Sequence, residues 1–271
     1  MIIFSLCLLL FINSMSIGLV FPIFPPLFTS SNSPLFTTGT ALNIQSLFYT
    51  MILAVPTLFI IFGAPFWGKM SDNIGRRQVL LIGLIGIAFS FFLSVIGITF
   101  GSLFLLFFSR AIAGFMDGSE AVAQASIADL SLPQDKPRNM SFATWAGTLG
   151  FIVGPIIGGF LADKTITGKF HYQIPFIVSS ALTLINAYIL YKYFPIETKK
   201  ATINQGKSES KAGYSKLLIK GFVICFDLRI RLFSWLLFVL QFSLAAFFQL
   251  SSLTLVEKFH YTSAQVGVFT I

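Results

Sequence analysis

A series of apolar stretches, each about as long as a bilayer is thick, constrains the fold of this chain most strongly. A helix that crosses a bilayer needs about 20 mostly apolar residues, because every backbone N–H and C=O group must be paired within the segment. The predicted spans are Ile2–Phe24, Leu47–Trp67, Val79–Thr99, Ser102–Asp129, Met140–Leu161, Ile174–Phe194 and Leu232–Val256. An eighth apolar stretch begins near Ala264. The sequence therefore predicts an all-α, polytopic membrane helix bundle.

The composition excludes a soluble enzyme. Only 10% of the 271 residues are charged and 55% are hydrophobic, whereas soluble domains contain about 25% charged residues. The net charge of +8 comes from short clusters between apolar runs, so nucleic acid is not expected as a partner. Cys7 and Cys225 lie far apart in apolar surroundings, which predicts no metal site and no disulfide framework. No cofactor is expected.

The basic residues are distributed unevenly over the alternate loops. With the N-terminus inside, the three inner loops hold three, two and nine of the 18 lysines and arginines. Cytoplasmic loops of membrane proteins carry this excess of positive charge. The sequence therefore predicts a multi-pass protein of the inner (plasma) membrane with a cytoplasmic N-terminus.

One long polar segment divides the chain into three predicted parts. Residues 1–194 are expected to form a six-helix transmembrane bundle, and residues 195–231 a cytoplasmic linker that contains many lysines and other polar residues. Residues 232–271 are expected to be the start of a second, incomplete bundle.

The segment between the second and third spans has glycines and charges at fixed offsets. Glycine permits a sharp reversal of the backbone, an acid can accept hydrogen bonds at the next helix N-terminus, and cations stay in water. The motif residues are Gly68, Asp72, Gly75, Arg76 and Arg77. A generic positive loop explains the arginines alone, so we interpret the segment as a specific cytoplasmic gate motif.

The fourth span contains the residues that are most costly in a bilayer: Arg110, Asp117 and Glu120. A charge at the bilayer centre costs at least about 2.5 kcal/mol, so each of these groups needs compensation. At about 100° per residue, Arg110 and Asp117 share a helix face and Glu120 lies in the same polar sector. Two interpretations stay open: a buried network of mutually neutralising charges, or a site that binds substrate or protons.

The fifth span carries glycines about four residues apart and one proline. This spacing lets another helix approach closely, and the proline removes a backbone amide and bends the axis. The residues are Gly147, Gly150, Gly154, Pro155, Gly158 and Gly159. In the first span, Asn13 places a polar amide at depth, where it is expected to bind a ligand or to pair with a neighbouring helix.

These motifs, in this order, resemble the major facilitator superfamily, and in particular its drug:proton antiporter branch related to tetracycline resistance efflux proteins. The Gly68–Arg77 segment is similar to the family signature between helices two and three. Arg110 with Gly114 and Gly118 is similar to the fourth-helix signature, whose arginine is implicated in proton coupling, and the glycines with Pro155 are similar to the antiporter signature of the fifth helix.

The resemblance implies twelve helices in two halves, with a substrate cavity between the halves at the bilayer midplane. The chain matches the first half, helix seven and the start of helix eight. We therefore expect proton-coupled efflux of a small drug-like compound, of tetracycline or multidrug type, by alternating access. Arg110, Asp117, Glu120 and Asn13 are the candidate proton-coupling and substrate residues, and the partners are the substrate, protons and lipid.

Other functions stay open at this point. The chain could be a truncated fragment that does not transport and lacks a C-terminal half, or a metabolite uptake symporter of the same superfamily. A membrane-embedded enzyme is less favoured, because no cluster of metal ligands and no nucleophile with a base is evident in the sequence.

Overall fold

The computed structural model describes residues 2–29, 33, 35–36, 41–162, 172–194, 231–259 and 261–269. Within these ranges the chain forms helices joined by short turns. The helices are α1 (Ile2–Val20), α2 (Phe24–Thr29), α3 (Leu42–Ile74), α4 (Arg76–Thr99), α5 (Leu103–Asp117), α6 (Glu120–Leu130), α7 (Lys136–Ala162), α8 (Ile174–Tyr193), α9 (Arg231–Phe259) and α10 (Ser263–Phe269). The all-α bundle predicted from the sequence is confirmed. The predicted linker lies outside the described residues except for Arg231, which begins α9.

Within the part of the chain that the structure describes, five helices are long and apolar enough to cross a membrane: α1, α3, α4, α7 and α8. Each coincides with a span predicted from the apolar stretches. The helix α3 is longer than predicted, because it begins at Leu42 and continues through Gly68 to Ile74. The reversal into α4 therefore occurs at Gly75 alone, rather than over a loop that begins at Gly68.

The predicted fourth span is not one continuous helix, because it breaks at Gly118 and Ser119 between α5 and α6. In an unbroken helix the Phe115 carbonyl would accept from the Ser119 amide. Here the indole Nε1 of Trp67 donates to that carbonyl at 2.8 Å, and the Ser119 amide donates to Met116 instead. A side chain of α3 has thus replaced a backbone hydrogen bond, which is a recognised cause of a helix break.

Two apolar clusters fill the bundle, one toward each end of α4. The cluster near Gly75 includes Leu80 and Leu84 of α4, together with apolar side chains from α1, α6 and α8. The cluster near Gly101 includes Phe91 and Ile98 of α4, together with side chains from α1, α2 and α8. We call these two ends of the bundle the Gly75 end and the Gly101 end.

The outer faces of the long helices are also apolar. On α4, the side chains of Ile82, Ile85, Phe89 and Phe92 are exposed, and their spacing of three or four residues forms one stripe. A contiguous apolar stripe of this kind is unfavourable in water but matches the hydrocarbon core of a bilayer. The stripe agrees with a membrane-embedded bundle.

Candidate functional site

A cavity of about 900 Å³ opens between α1, α3, α5 and α7, and two residues of α9 contribute to its wall. Its wall is mostly apolar and aromatic. The polar and charged lining residues are Asn13, Ser16, Thr57, Arg110, Asp117 and Thr148. Pockets that bind small molecules typically combine an apolar wall with a few polar groups in this way.

Arg110 is 95% buried, and its guanidinium lies within a cage of aromatic rings. Its guanidinium carbon lies 5.9, 5.6 and 5.4 Å from the ring centres of Phe24, Phe91 and Phe176. Its Nη2 donates to the Ser94 hydroxyl oxygen at 3.0 Å, and its Nε has no partner among the described residues. Cation–π contacts and one hydrogen bond therefore take the place of an ion pair.

The two acids that follow Arg110 belong to different helices. Asp117 ends α5 and lines the large cavity, whereas Glu120 begins α6 and lines a second cavity of about 220 Å³. The helix that was predicted to carry both acids is interrupted between them at Gly118 and Ser119, although both of these residues keep αR backbone dihedrals. Arg110 and Asp117 do line one cavity, as their shared helix face predicts.

Asn13 of α1 links the two acids. Its Nδ2 donates to Oε2 of Glu120 at 3.0 Å, and its amide also interacts with the Asp117 carboxyl group. Gln124 of α6 donates to the other oxygen of Glu120 at 3.2 Å. One amide on α1 therefore connects the large cavity to the acid that lines the small one.

The glycines of α7 form the surface against which α1 packs. A Cβ added at Gly150 would collide with the Phe11 carbonyl, and one at Gly154 with the Met15 carbonyl. At Gly158 the collision would be with Leu19. The Pro155 ring lies against Gly18 of α1, whereas the Pro155 carbonyl and Gly159 lie against Gly267 of α10. The prediction of a closely packed interface along this span agrees with these contacts.

At the Gly75 end, the two arginines of the predicted gate motif contact different helices. Arg76 forms an ion pair with Asp129 at the end of α6. The Arg77 guanidinium stacks over the Tyr191 ring of α8 at 4.8 Å and donates to the Tyr191 carbonyl. The start of α4 is thereby tied to the ends of α6 and α8.

Gly68 and Asp72 do not have the local roles that the sequence predicted. Gly68 lies inside α3 with nothing within 4 Å of an added Cβ. Asp72 is exposed, and α4 begins at Gly75 without a side-chain cap. The acid therefore does not accept from the amides of α4, because α3 continues past it and directs it to the surface.

Gly75 is the residue of this motif whose backbone requires glycine. Its φ and ψ are 94° and 151°, a region that is essentially restricted to glycine. We expect Gly75→Ala to lower the free energy of unfolding by about 1–3 kcal/mol. Gly68→Ala is the matched control, since it adds the same methyl group in open space within a helix. Equal melting temperatures of the two variants in detergent would contradict this assignment.

Sequence reasoning missed several residues of this site. Ser94 and the caging rings of Phe91 and Phe176 lie in mostly apolar spans, where no motif distinguishes them from lipid-facing or core residues. From the sequence, Asp129 is predicted only as the end of the fourth span. Its position on the same predicted side as Arg76 was the signal that could have identified the ion pair.

Sequence comparison identifies a protein family and several related proteins. The sequence profile of the Major Facilitator Superfamily matches residues 6–271. Multidrug resistance protein 1 of Bacillus subtilis (strain 168) is 29% identical over 264 residues, which are 96% of this chain and 59% of that protein. Tetracycline resistance protein, class E, of Escherichia coli is 30% identical over 244 residues, 85% of this chain and 56% of that protein. Quinolone resistance protein NorA of Staphylococcus aureus (strain Mu50 / ATCC 700699) is 28% identical over 267 residues, 98% of this chain and 61% of that protein.

Two solved structures share the fold. The human organic anion transporter MFSD10 (TETRAN) superposes with a TM-score of 0.67 at 21% identity, over 99% of this chain and 68% of that chain. The xylose transporter XylE from E. coli, in a partially occluded inward-open conformation, gives a TM-score of 0.57 at 19% identity, over 82% of this chain and 56% of that chain. The chain spans less than two thirds of the length of the curated relatives it matches. It belongs to the Major Facilitator Superfamily, whose members are membrane transporters.

Proposed function

We propose that this protein exports a small, amphipathic, drug-like compound in exchange for protons, by alternating access across the inner (plasma) membrane. The observation that carries the proposal is the large cavity, in which an acid and an arginine face an otherwise apolar and aromatic wall. The names of the relatives, which refer to multidrug, tetracycline and quinolone resistance, support export over uptake.

Asp117 is the proposed proton-binding group of this cavity. Arginine stays protonated in proteins, whereas a carboxyl group can gain and lose a proton. Arg110 and Asp117 are the charged residues among those that line the cavity, so Asp117 is the group that can bind and release the exchanged proton. A proton and a cationic substrate would then compete for one carboxylate, and this competition would couple their movements in opposite directions.

Glu120 has a different proposed role. It lines the small cavity, and Asn13 links it to Asp117. Because α1 supplies this amide and also packs against the glycines of α7, a movement of α1 along α7 would change the contact of Asn13 with both acids. The proposed coupling between proton binding and helix movement therefore passes through Asn13.

The Gly75 end is proposed to be a cytoplasmic latch. The ion pair of Arg76 with Asp129 and the stacking of Arg77 on Tyr191 join three helix ends. An exposed ion pair contributes at most about 1 kcal/mol to stability. A contact this weak can be opened and closed during a transport cycle.

Transport in everted membrane vesicles tests the proposed function. When the vesicle lumen is acidic, vesicles from cells that carry the gene should accumulate several-fold more tetracycline or norfloxacin than vesicles from a deletion strain. An uncoupler should remove the difference. Accumulation that persists with the uncoupler would exclude proton coupling, and equal accumulation in the two strains would exclude export of these compounds.

The proposed orientation predicts which residues a membrane-impermeant maleimide reaches. In a Cys7→Ser, Cys225→Ser background, we expect Phe100→Cys to react in intact cells, because this exposed turn residue lies at the Gly101 end. Asn73→Cys, which is exposed at the Gly75 end, should react only after permeabilisation. The reverse pattern would place the N-terminus outside, and reaction of both residues in intact cells would contradict a spanning bundle.

A further inference from the structure

Arg110 is buried at the cavity without a carboxylate partner. Among the described residues, the ion pairs within 4 Å are those of Arg76 with Asp129 and of Arg138 with Asp135. Arg110 and Asp117 are therefore not paired with each other, although both line the same cavity. A buried charge is costly unless an opposite charge or hydrogen bonds compensate it. Neither group has an opposite charge within 4 Å among the described residues.

The surroundings of Arg110 hold its guanidinium in place without saturating it. A guanidinium has five N–H donors, and the one side-chain acceptor within reach among the described residues is the Ser94 hydroxyl. Ser94 is itself fixed by a contact of 2.8 Å with the Ser109 hydroxyl. Three phenylalanine rings surround the cation, but rings accept no strong hydrogen bond. The unpartnered donors match a planar anion such as a carboxylate.

The cation and the acid are separated along the cavity wall. They are seven residues apart on α5, which corresponds to about 10 Å along the helix axis. The wall between and around them is apolar and aromatic, with Phe21, Phe151 and Ile60 among its residues. An elongated ring system with opposite charges at its two ends would satisfy both groups and fill the apolar space between them.

We propose that this cavity selects zwitterionic amphipathic compounds, with Arg110 binding the anionic group of the ligand and Asp117 binding its cationic group. This proposal rests on the proposed function, because it names the substrate class of the same cavity. It adds a binding site for an anionic group to the proton and cation site at Asp117. A compound with one charge leaves either Arg110 or Asp117 uncompensated, and it should bind more weakly.

Equilibrium binding to the purified chain in lipid nanodiscs tests the proposal without a gradient. The probe is norfloxacin, which is fluorescent and carries a carboxylate and a basic piperazine at opposite ends of a rigid ring system. Its decarboxylated analogue lacks the anion, and its N-acetylated analogue lacks the cation. We expect each analogue to bind about 10- to 100-fold more weakly than norfloxacin, as the loss of a charge-assisted hydrogen bond predicts.

Two variants assign each preference to its residue. In Arg110→Gln, norfloxacin and its decarboxylated analogue should bind equally, while the preference over the N-acetylated analogue persists. In Asp117→Asn the pattern should be the opposite. The ligand series on the unmodified chain carries the test if either variant fails to fold.

The outcomes separate this proposal from the proposed function. Equal affinity of the unmodified chain for norfloxacin and both analogues, or no binding of any of them, overturns the zwitterion proposal, even if gradient-driven transport is observed. A preference for norfloxacin over both analogues supports it, even if vesicles show no proton-driven accumulation and the proposed function fails.

Discussion

Asp117→Asn is expected to reduce gradient-driven accumulation of substrate to the level of vesicles that lack the protein. Asparagine keeps the size and polarity of the side chain, but its amide does not bind or release a proton at physiological pH. Because Arg110 is the other charged residue that lines the large cavity, no described neighbour there can replace the lost proton site. The measurement is uptake of tetracycline or norfloxacin into everted vesicles under an imposed pH gradient.

The matched control for this substitution is Asp135→Asn. Asp135 is an acid of the connection before α7, paired with Arg138 at 3.2 Å, and it lies outside both cavities. The Asp135→Asn substitution should leave substrate accumulation unchanged. If Asp117→Asn retains accumulation that an uncoupler still abolishes, the coupling proton binds elsewhere and the role proposed for Asp117 is wrong.

Gly154→Ala is expected to separate α1 from α7 and to lower the free energy of unfolding by about 1–3 kcal/mol. The added methyl group would overlap the backbone carbonyl of Met15 and crowd the backbone of Gly18 and Leu19. Backbone atoms within a helix cannot rotate aside as a side chain can, so the whole helix must move. The measurement is the temperature at which half of the detergent-solubilised protein remains monodisperse.

Gly147→Ala is the control on the same helix. The nearest atom to an added Cβ there is the Ser14 hydroxyl oxygen at 3.3 Å, at the end of a side chain that can rotate. Both substitutions raise intrinsic helix propensity equally, so the difference between them isolates the collision with α1. A melting temperature of Gly154→Ala equal to that of Gly147→Ala would show that the interface tolerates the methyl group.

The spans and the interface glycines were predictable because each depends on local sequence. Apolar length predicts a span from backbone hydrogen bonding alone, and glycines four residues apart predict close packing whatever the partner helix is. The exclusion of an enzyme is likewise confirmed by membership of a transporter family. The coupling and gating roles of the individual site residues stay predictions.

The arrangement of the charged groups was less predictable, because it depends on contacts between distant parts of the chain. The break before Glu120 coincides with the hydrogen bond that Trp67 donates to the Phe115 carbonyl. Because Trp67 lies about fifty positions away, the residues around the break do not predict it. The pairing of Asn13 with Glu120 joins helices that are 107 residues apart in sequence. Asp72 was assigned a capping role on spacing alone, and the continuation of α3 past it removed that possibility.

The break at Gly118 and Ser119 makes α6 a short rod with an acid at each end. Glu120 at one end holds the amide of Asn13, and Asp129 near the other is bound to Arg76. Nine residues of helix, about 14 Å, join the two acids rigidly. Because Glu120 lies next to the break, a tilt of this rod about the break would displace Asp129 most and Glu120 least, while α5 keeps Arg110 in its ring of phenylalanines. The indole of Trp67 lies at the break, and the rod joins the ion pair at the Gly75 end to the amide of Asn13 in the interior.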